Sequence, residues 1–381
     1  MSIYLDNSAT SFPKPESVYL AVDHALRDCG ANPGRGGHRM SLDAARLVYE
    51  ARETVARFFG VSDASRIIFT SGATESINLG LFGLLQPGDH VVTTVMEHNS
   101  VLRPLRALQD RGVAVTRVGA DKQGRVTADD LIAACTSQTR LVVLTHCSNV
   151  TGTVQPVEQI ANWTRRHGIL LMVDAAQSAG LLTIDAPAMG IDLLVVPGHK
   201  GLLGPTGIGC LYVREGIELQ PLIYGGTGTQ SESDRAPQQM PERLESGTPN
   251  TSGIAGLKAG IDWLQTTGLE TVRHHERELL EVLVQGLKAL PDVIVYGPDN
   301  LADHGGAVSF ASQRHDPSQI GFLLDHEHDI MVRIGLHCAP EAHRAIGTWP
   351  QGTIRVSPGH FTTIDQIETF LHAVSGIVAR R

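Results

Sequence analysis

The chain has 381 residues, 42% hydrophobic and 19% charged, and a formal net charge of −9. That apolar content excludes global disorder, and the acidic balance argues against a nucleic acid or an anionic membrane as partner. The length fits two domains, or one large α/β unit with an appendage.

The opening M-S-I-Y-L-D-N-S-A-T carries no basic and apolar run of the signal-peptide kind, and no stretch approaches the roughly 18 apolar residues of a membrane span. Five cysteines (Cys29, Cys135, Cys147, Cys210, Cys338) never form C-x-x-C. That argues against a zinc ribbon or a thioredoxin motif, and the odd count suits a reducing compartment. The expectation is a cytoplasmic protein.

Leu42, Ala45, Val48, Val55 and Phe59 fall at helical spacing and predict a helix over 41–60. A compact β run at 67–70 is followed at once by S-G-A-T-E-S and a helical pattern ending near Leu85, before the turn Gln86-Pro87-Gly88-Asp89. Further β runs fall at 91–94, 113–118, 141–145, 169–173, 193–196 and 208–213, with helices over 101–110 and 157–167. Strands alternating with helices predict an α/β fold with a mainly parallel sheet covered on both faces, where ligands bind at the carboxyl ends of the strands. Residues 225–250 are too rich in Gly, Thr, Ser, Gln and Pro for core and read as a long loop. One helical stretch over 252–287 follows, then β runs at 293–296, 308–311, 330–332 and 354–356 mixed with helices, a smaller α+β domain.

Four signals carry chemistry. In S-G-A-T-E-S, Ala73 and Thr74 open a helix whose free amides and dipole suit a phosphate; the same turn also serves merely to cap a helix. Asp174 ends a buried strand, where α/β folds place working residues and where a helix N-cap also belongs. Lys200, in P-G-H-K-G, leaves another buried strand; a confined lysine loses its proton and forms a Schiff base with an aldehyde, whereas a lone lysine in a glycine-rich turn is more commonly solvated. His98, in M-E-H-N, can stack on a planar ligand or simply start a helix. Phosphate turn, stacking ring, strand-end aspartate and strand-end lysine are together the parts of a pyridoxal phosphate site. There the lysine carries the cofactor and the carboxylate keeps the pyridine nitrogen protonated.

Nearly the whole chain then resembles a known family. The blocks are S-G-A-T-E-S-I-N (71–78), M-E-H-N-S (96–100), H-C-S-N-V-T-G-T (146–153), V-D-A-A-Q (173–177), G-H-K-G-L-L-G-P-T-G-I-G (198–209), E-S-G-T-P-N-T (245–251) and R-I-G-L-H-C-A-P (333–340). They resemble fold type I pyridoxal phosphate enzymes of the class V aminotransferase group, and within it the cysteine desulfurase and selenocysteine lyase family, on its group II branch. The resemblance implies a large cofactor-binding domain over 15–250 and a small domain from 1–14 and 251–381. It implies Lys200 as the Schiff-base lysine, Asp174 as partner of the pyridine nitrogen, Gln177 on the phenolic oxygen, and His98 stacked on the ring. Ala73, Thr74 and His199 would hold the phosphate, completed by Thr248 of a second subunit, so a homodimer is implied. Asn149 would lie near the phenolic oxygen and the substrate, and Arg355 would grip the substrate carboxylate. Two departures stand out: Pro197 replaces the Ser or Thr that usually precedes G-H-K, leaving the cradle one donor short, and Phe361-Thr362-Thr363 replaces a Tyr-Asn-Thr.

Cys338 decides the reaction. A loop cysteine near the site can attack the substrate sulfur and keep it as a persulfide, with His337 and Arg333 nearby to favour the thiolate. The expected activity is conversion of L-cysteine to L-alanine, with the sulfur passed to an acceptor protein. A selenocysteine lyase, another class V aminotransferase or β-lyase, and a non-enzymatic pyridoxal phosphate-binding regulator are the alternatives. Cys147 and Cys210, in or beside apolar β runs, read as core.

Overall fold

A computed structural model describes residues 2–34, 37–230 and 232–380. The first part of the chain runs β1 (Ile3–Tyr4), α1 (Glu16–Asp28), α2 (Arg39–Phe58), β2 (Ile67–Thr70), α3 (Ala73–Leu84), β3 (His90–Thr94), α4 (Asn99–Gln109) and β4 (Ala114–Val118). It continues with α5 (Ala128–Ala134), β5 (Thr139–Thr145), α6 (Val157–His167), β6 (Leu170–Asp174), β7 (Leu193–Pro197) and β8 (Gly209–Val213). These strands form one sheet in the order β2-β8-β7-β6-β5-β3-β4. All its pairs are parallel except those of β8 with β2 and β7.

The strands lack polar alternation because both faces are covered. On one face Val142, Leu144, Leu171 and Val173 pack with Val55 of α2 and Ile160 of α6. On the other, Leu141, Val143, Met172 and Val195 pack with Ile77 and Leu81 of α3 and Val101 and Leu105 of α4. Each such side chain contributes about 1.5–3 kcal/mol on burial, which makes the sheet a rigid platform for whatever its strand ends carry.

Two expectations need correction. The single helix over 252–287 is two, α7 (Thr251–Thr267) and α8 (Leu269–Lys288), broken at Gly268, whose φ of +88° suits glycine and ends α7. After β9 (Val293–Tyr296), β10 (Val308–Ser312) and α9 (Pro317–His328), the β run expected over 330–332 splits at Val332. Its halves are β11 (Ile330–Met331), parallel to β1, and β12 (Arg333–Gly335). The chain closes with α10 (Pro340–Ile346), β13 (Thr353–Val356) and α11 (Ile364–Val378). Strands β12-β13-β10-β9 make an antiparallel sheet with its own core of Leu283, Phe310, Ile354 and Phe370. Helix α1 escaped the periodicity because Leu20 and Leu26 are exposed, so no apolar stripe stands out.

Among the described residues, 225–250 contains only turns and bends, as its composition predicts. The segment is pinned by an ion pair: Arg52 of α2 donates to both carboxylate oxygens of Glu245 at 2.6 and 2.8 Å, and Glu245 also accepts the Phe69 amide at 2.6 Å. Removing one member of a buried pair strands the other's charge. Arg52→Met should therefore cost about 3 kcal/mol in urea unfolding, and Arg52→Met combined with Glu245→Gln distinctly less. Equal losses in the two proteins would show that the charge pairing is not what matters.

Candidate active site

The carboxyl ends of β3, β5, β6 and β7 converge because parallel pairing keeps them in step; Thr145 of β5 lies opposite Asp174 of β6, which lies opposite Val195 of β7. Each chain leaving those ends delivers a functional side chain. Beyond β2, the turn Ser71-Gly72 starts α3 with Ala73 and Thr74 in its first turn, where amides have no intrahelical acceptor. That turn rests against β8: a Cβ on Gly209 would lie 2.7 Å from the Gly72 Cα, so only glycine fits there. His98, four residues beyond β3, caps α4, and Lys200 lies three residues beyond β7. Thr74, His98, Asn149, Asp174, Gln177, His199, Lys200, Cys338 and Arg355 all line one cavity of about 380 Å³, with Ala73 and Pro197 in its wall.

Burial sets the charges. Asp174 is 4% exposed, and desolvation raises its carboxyl pKa; one oxygen accepts the Ala176 amide at 2.9 Å. Burial lowers the Lys200 ammonium to about 8, opposed by the nearby Asp174 charge and assisted by Arg355. His98 accepts the Ser100 amide on Nδ1 at 3.0 Å, so in the neutral ring the proton is on Nε2. Burial, then the Lys200 charge, brings His98 down to about 4, and His199 follows for the same two reasons. Both rings are neutral near pH 7. Gln177 donates to the Ser8 carbonyl at 3.1 Å.

These residues fit pyridoxal phosphate. The α3 amides and the buried His199 Nδ1, which has no partner among the described residues, are open to an anion. Asp174, with a single hydrogen bond to its carboxylate among the described residues, is open to a cationic ring nitrogen, and Lys200 to an aldehyde. Pro197 ends β7 in the cavity wall and adds no donor there.

Arg355, on β13, is 3% exposed. It donates to Asp6 at 2.8 Å and to the Asn149 carbonyl at 3.1 Å, while its Nε is buried with no partner among the described residues. Arg355 lines the cavity, so its positive charge can hold a carboxylate bound there. Asn149 also donates to the His337 carbonyl at 2.6 Å. Cys338 is exposed in the same cavity. The expectation that His337 favours its thiolate is wrong. The ring is buried, points at Thr353 (3.0 Å), and is lowered to about 2 by burial and then by Arg355, so it carries no positive charge. Arg333 does line the cavity, 3.5 Å from Asp6. Cys147 and Cys210 are core as expected, and burial pushes both thiols up to about 12. Thr248 is not part of this cavity in its own chain; it lies in a separate groove, 3.3 Å from the Asn32 side chain.

The sequence reading missed Asp6 and Glu97. Glu97 is fully buried; one oxygen accepts from the Thr94 hydroxyl (2.7 Å) and the Thr145 amide (3.1 Å), and the other has no partner among the described residues. Burial, and secondarily the Asp174 charge, lift its carboxyl to about 8, which leaves it largely protonated at pH 7. A neutral Glu97 adds no second negative charge near Asp174. Its signal is the acid in M-E-H-N, beside the histidine.

The aminotransferase class-V family model matches residues 3–370. A probable cysteine desulfurase of Methanothermobacter thermautotrophicus is 37% identical over 374 residues, covering 96% of this chain and 92% of that protein. A cysteine desulfurase of Serratia proteamaculans is 36% identical, over 88% and 84% of the two chains. The solved apo structure of a cysteine desulfurase from Thermococcus onnurineus superposes with a TM-score of 0.93 at 36% identity, covering 99% of this chain and 94% of the other.

Proposed function

Because the chain belongs to the class-V aminotransferase family, and within it to the cysteine desulfurases, we propose that it uses pyridoxal phosphate to convert L-cysteine to L-alanine, collecting the sulfur on Cys338. The observation that carries this reading is the exposed Cys338 thiol in one cavity with Lys200 and Arg355. A plain aminotransferase has no use for a thiol there.

Lys200 would hold the cofactor, the first turn of α3 and His199 would take its phosphate, His98 would stack on its ring, and Asp174 and Gln177 would bond its ring nitrogen and phenolic oxygen. Once bound, it supplies an electron sink that makes the substrate α-hydrogen acidic and the carbon–sulfur bond labile. Arg355, in the cavity wall, fixes the substrate carboxylate, and Asn149 orients the amino-acid backbone beside it. Lys200 Nζ, neutral above about pH 8, removes the α-proton and later returns a proton to carbon. Cys338 Sγ, as thiolate, bonds to the substrate sulfur as the Cβ–S bond breaks. The bonding pair stays with the carbon fragment, which takes up protons to become alanine, and Cys338 is left as the persulfide. The exposure of Cys338 supports transfer of that sulfur to an acceptor protein. Among the described residues, no helix is long and apolar enough to cross a membrane. The free cysteines fit action in the cytoplasm.

Exposing the purified, cofactor-loaded protein to L-cysteine and locating added sulfur by mass spectrometry tests the reading; sulfur absent from Cys338 while alanine forms would refute it.

The active unit in this reading is a homodimer in which Thr248 reaches the partner's phosphate. Its exposed position outside its own chain's cavity supports this. Thr248→Ala and Lys200→Ala proteins should each be impaired. Mixed dimers should recover activity, since one of their two sites has both residues intact and the other lacks both. Proven subunit exchange without recovery would place the whole site within one chain.

A further inference from the structure

We propose that His337 positions the Cys338 nucleophile, and that it is itself locked by a one-way hydroxyl chain through Thr353 and Ser309. The inference rests on the desulfurase reading for what Cys338 does, but its geometry is independent of it.

His337 and Cys338 are consecutive residues in the left-handed region, with φ of +47° and +57°. Side-chain-bearing residues avoid that region, so the turn persists only if its surroundings over-determine it. Three backbone contacts contribute. The His337 carbonyl accepts from Asn149 (2.6 Å), the Cys338 carbonyl accepts the Asn99 amide at the start of α4 (2.8 Å), and the Ala339 amide returns to the Leu336 carbonyl (2.9 Å).

The fourth anchor is the His337 ring, and its proton is placed by counting hydrogens. The Val150 carbonyl only accepts, so the Ser309 hydroxyl spends its one hydrogen there, at 2.6 Å. Ser309 therefore accepts from the Thr353 hydroxyl, at 3.0 Å. With its hydrogen used, Thr353 can only accept from the ring, at 3.0 Å, and His337 must carry its proton on Nε2. All four groups are buried, so none can exchange its partner for water. The chain ends at Val150, next to Asn149, whose side chain holds the His337 carbonyl and whose own carbonyl takes Arg355. The thiol-bearing turn and the carboxylate-binding arginine are thus referenced to the same two residues after β5. The chain fixes a proton on Nε2, and burial keeps the ring neutral.

Thr353→Val deletes the acceptor at nearly constant volume, and Thr353→Ser restores it. Three readouts on cofactor-loaded protein separate positioning from general damage: sulfur transfer to Cys338 in a single turnover with L-cysteine, α-hydrogen exchange of L-alanine in deuterium oxide, and the iodoacetamide alkylation rate of Cys338. Alanine has no sulfur, so its exchange reports on Lys200 and Arg355 without Cys338. Thr353→Val should slow sulfur transfer by about ten-fold or more while exchange stays within about two-fold. Alkylation should change at least about three-fold as the turn relaxes, and Thr353→Ser should return all three to near wild type. Unchanged transfer, an equal loss of transfer and exchange, or no rescue by serine would each overturn the proposal. If wild-type protein itself gains no sulfur on Cys338, the desulfurase reading fails instead. The alkylation rate alone then decides the positioning, an unchanged rate in Thr353→Val rejecting it.

Discussion

Cys338→Ser should load cofactor and bind L-cysteine normally, yet release sulfur at least about two orders of magnitude more slowly, in line with loss of a nucleophile. The serine hydroxyl is nearly isosteric, and position 338 is exposed, so folding should be untouched. The defect should lie in the step that breaks the carbon–sulfur bond, leaving α-hydrogen exchange of L-alanine intact. Selenocysteine, if accepted, should still be turned over by this variant, because selenium leaves the carbon without help from a protein thiol. Arg355→Ala, by contrast, should weaken both substrates alike, since both offer the same carboxylate to the arginine in the cavity wall. Sulfur release by Cys338→Ser at the wild-type rate would replace the persulfide mechanism with a plain lyase.

Lys200→Ala should abolish covalent attachment of pyridoxal phosphate and lower turnover by at least about 10³-fold, since both cofactor attachment and proton transfer are lost together. Borohydride reduction of the loaded wild-type protein should fix the cofactor to the peptide containing Lys200; label on another lysine would sink the assignment. The pH dependence has a definite sign. Only the neutral amine attacks an aldehyde, and burial holds Lys200 near 8, so the rate of covalent uptake by apo-protein should rise with pH and level off above about 8. Asp174 raises that value and Arg355 lowers it. Asp174→Asn should therefore move the profile to lower pH and Arg355→Ala to higher pH. Shifts in the opposite sense would mean that these charges do not act on Lys200 as the geometry requires.

The parts of the site visible in the sequence are those that a strand end delivers locally. Asp174 is the last residue of β6 and Lys200 follows β7 by three, so apolar runs interrupted by one charged residue were enough to single them out. The glycine turn before α3 and the histidine that starts α4 are equally local signals. The break at Gly268 was missed because α7 and α8 are both amphipathic and abut without a loop, so their periodicities run together.

The amino-acid sequence by itself determined the α/β alternation, the strand-end residues and the family, since each depends on neighbours within a few positions or on residue order along the chain. Only the tertiary structure decided what the remaining residues do. Arg355 meets Asp6 across 349 positions, so no local pattern could reveal that part of its guanidinium is already committed. His337 lies beside Cys338 in sequence, and adjacency suggested a cation for the thiolate. The left-handed turn sends its ring into the core towards Thr353, where burial keeps it neutral. Glu97 lies next to His98, yet its raised pKa comes first from burial among the strand ends and then from the Asp174 charge. Residue identity and spacing set which groups are available, whereas a side chain's direction, burial and charge state depend on what the fold packs around it.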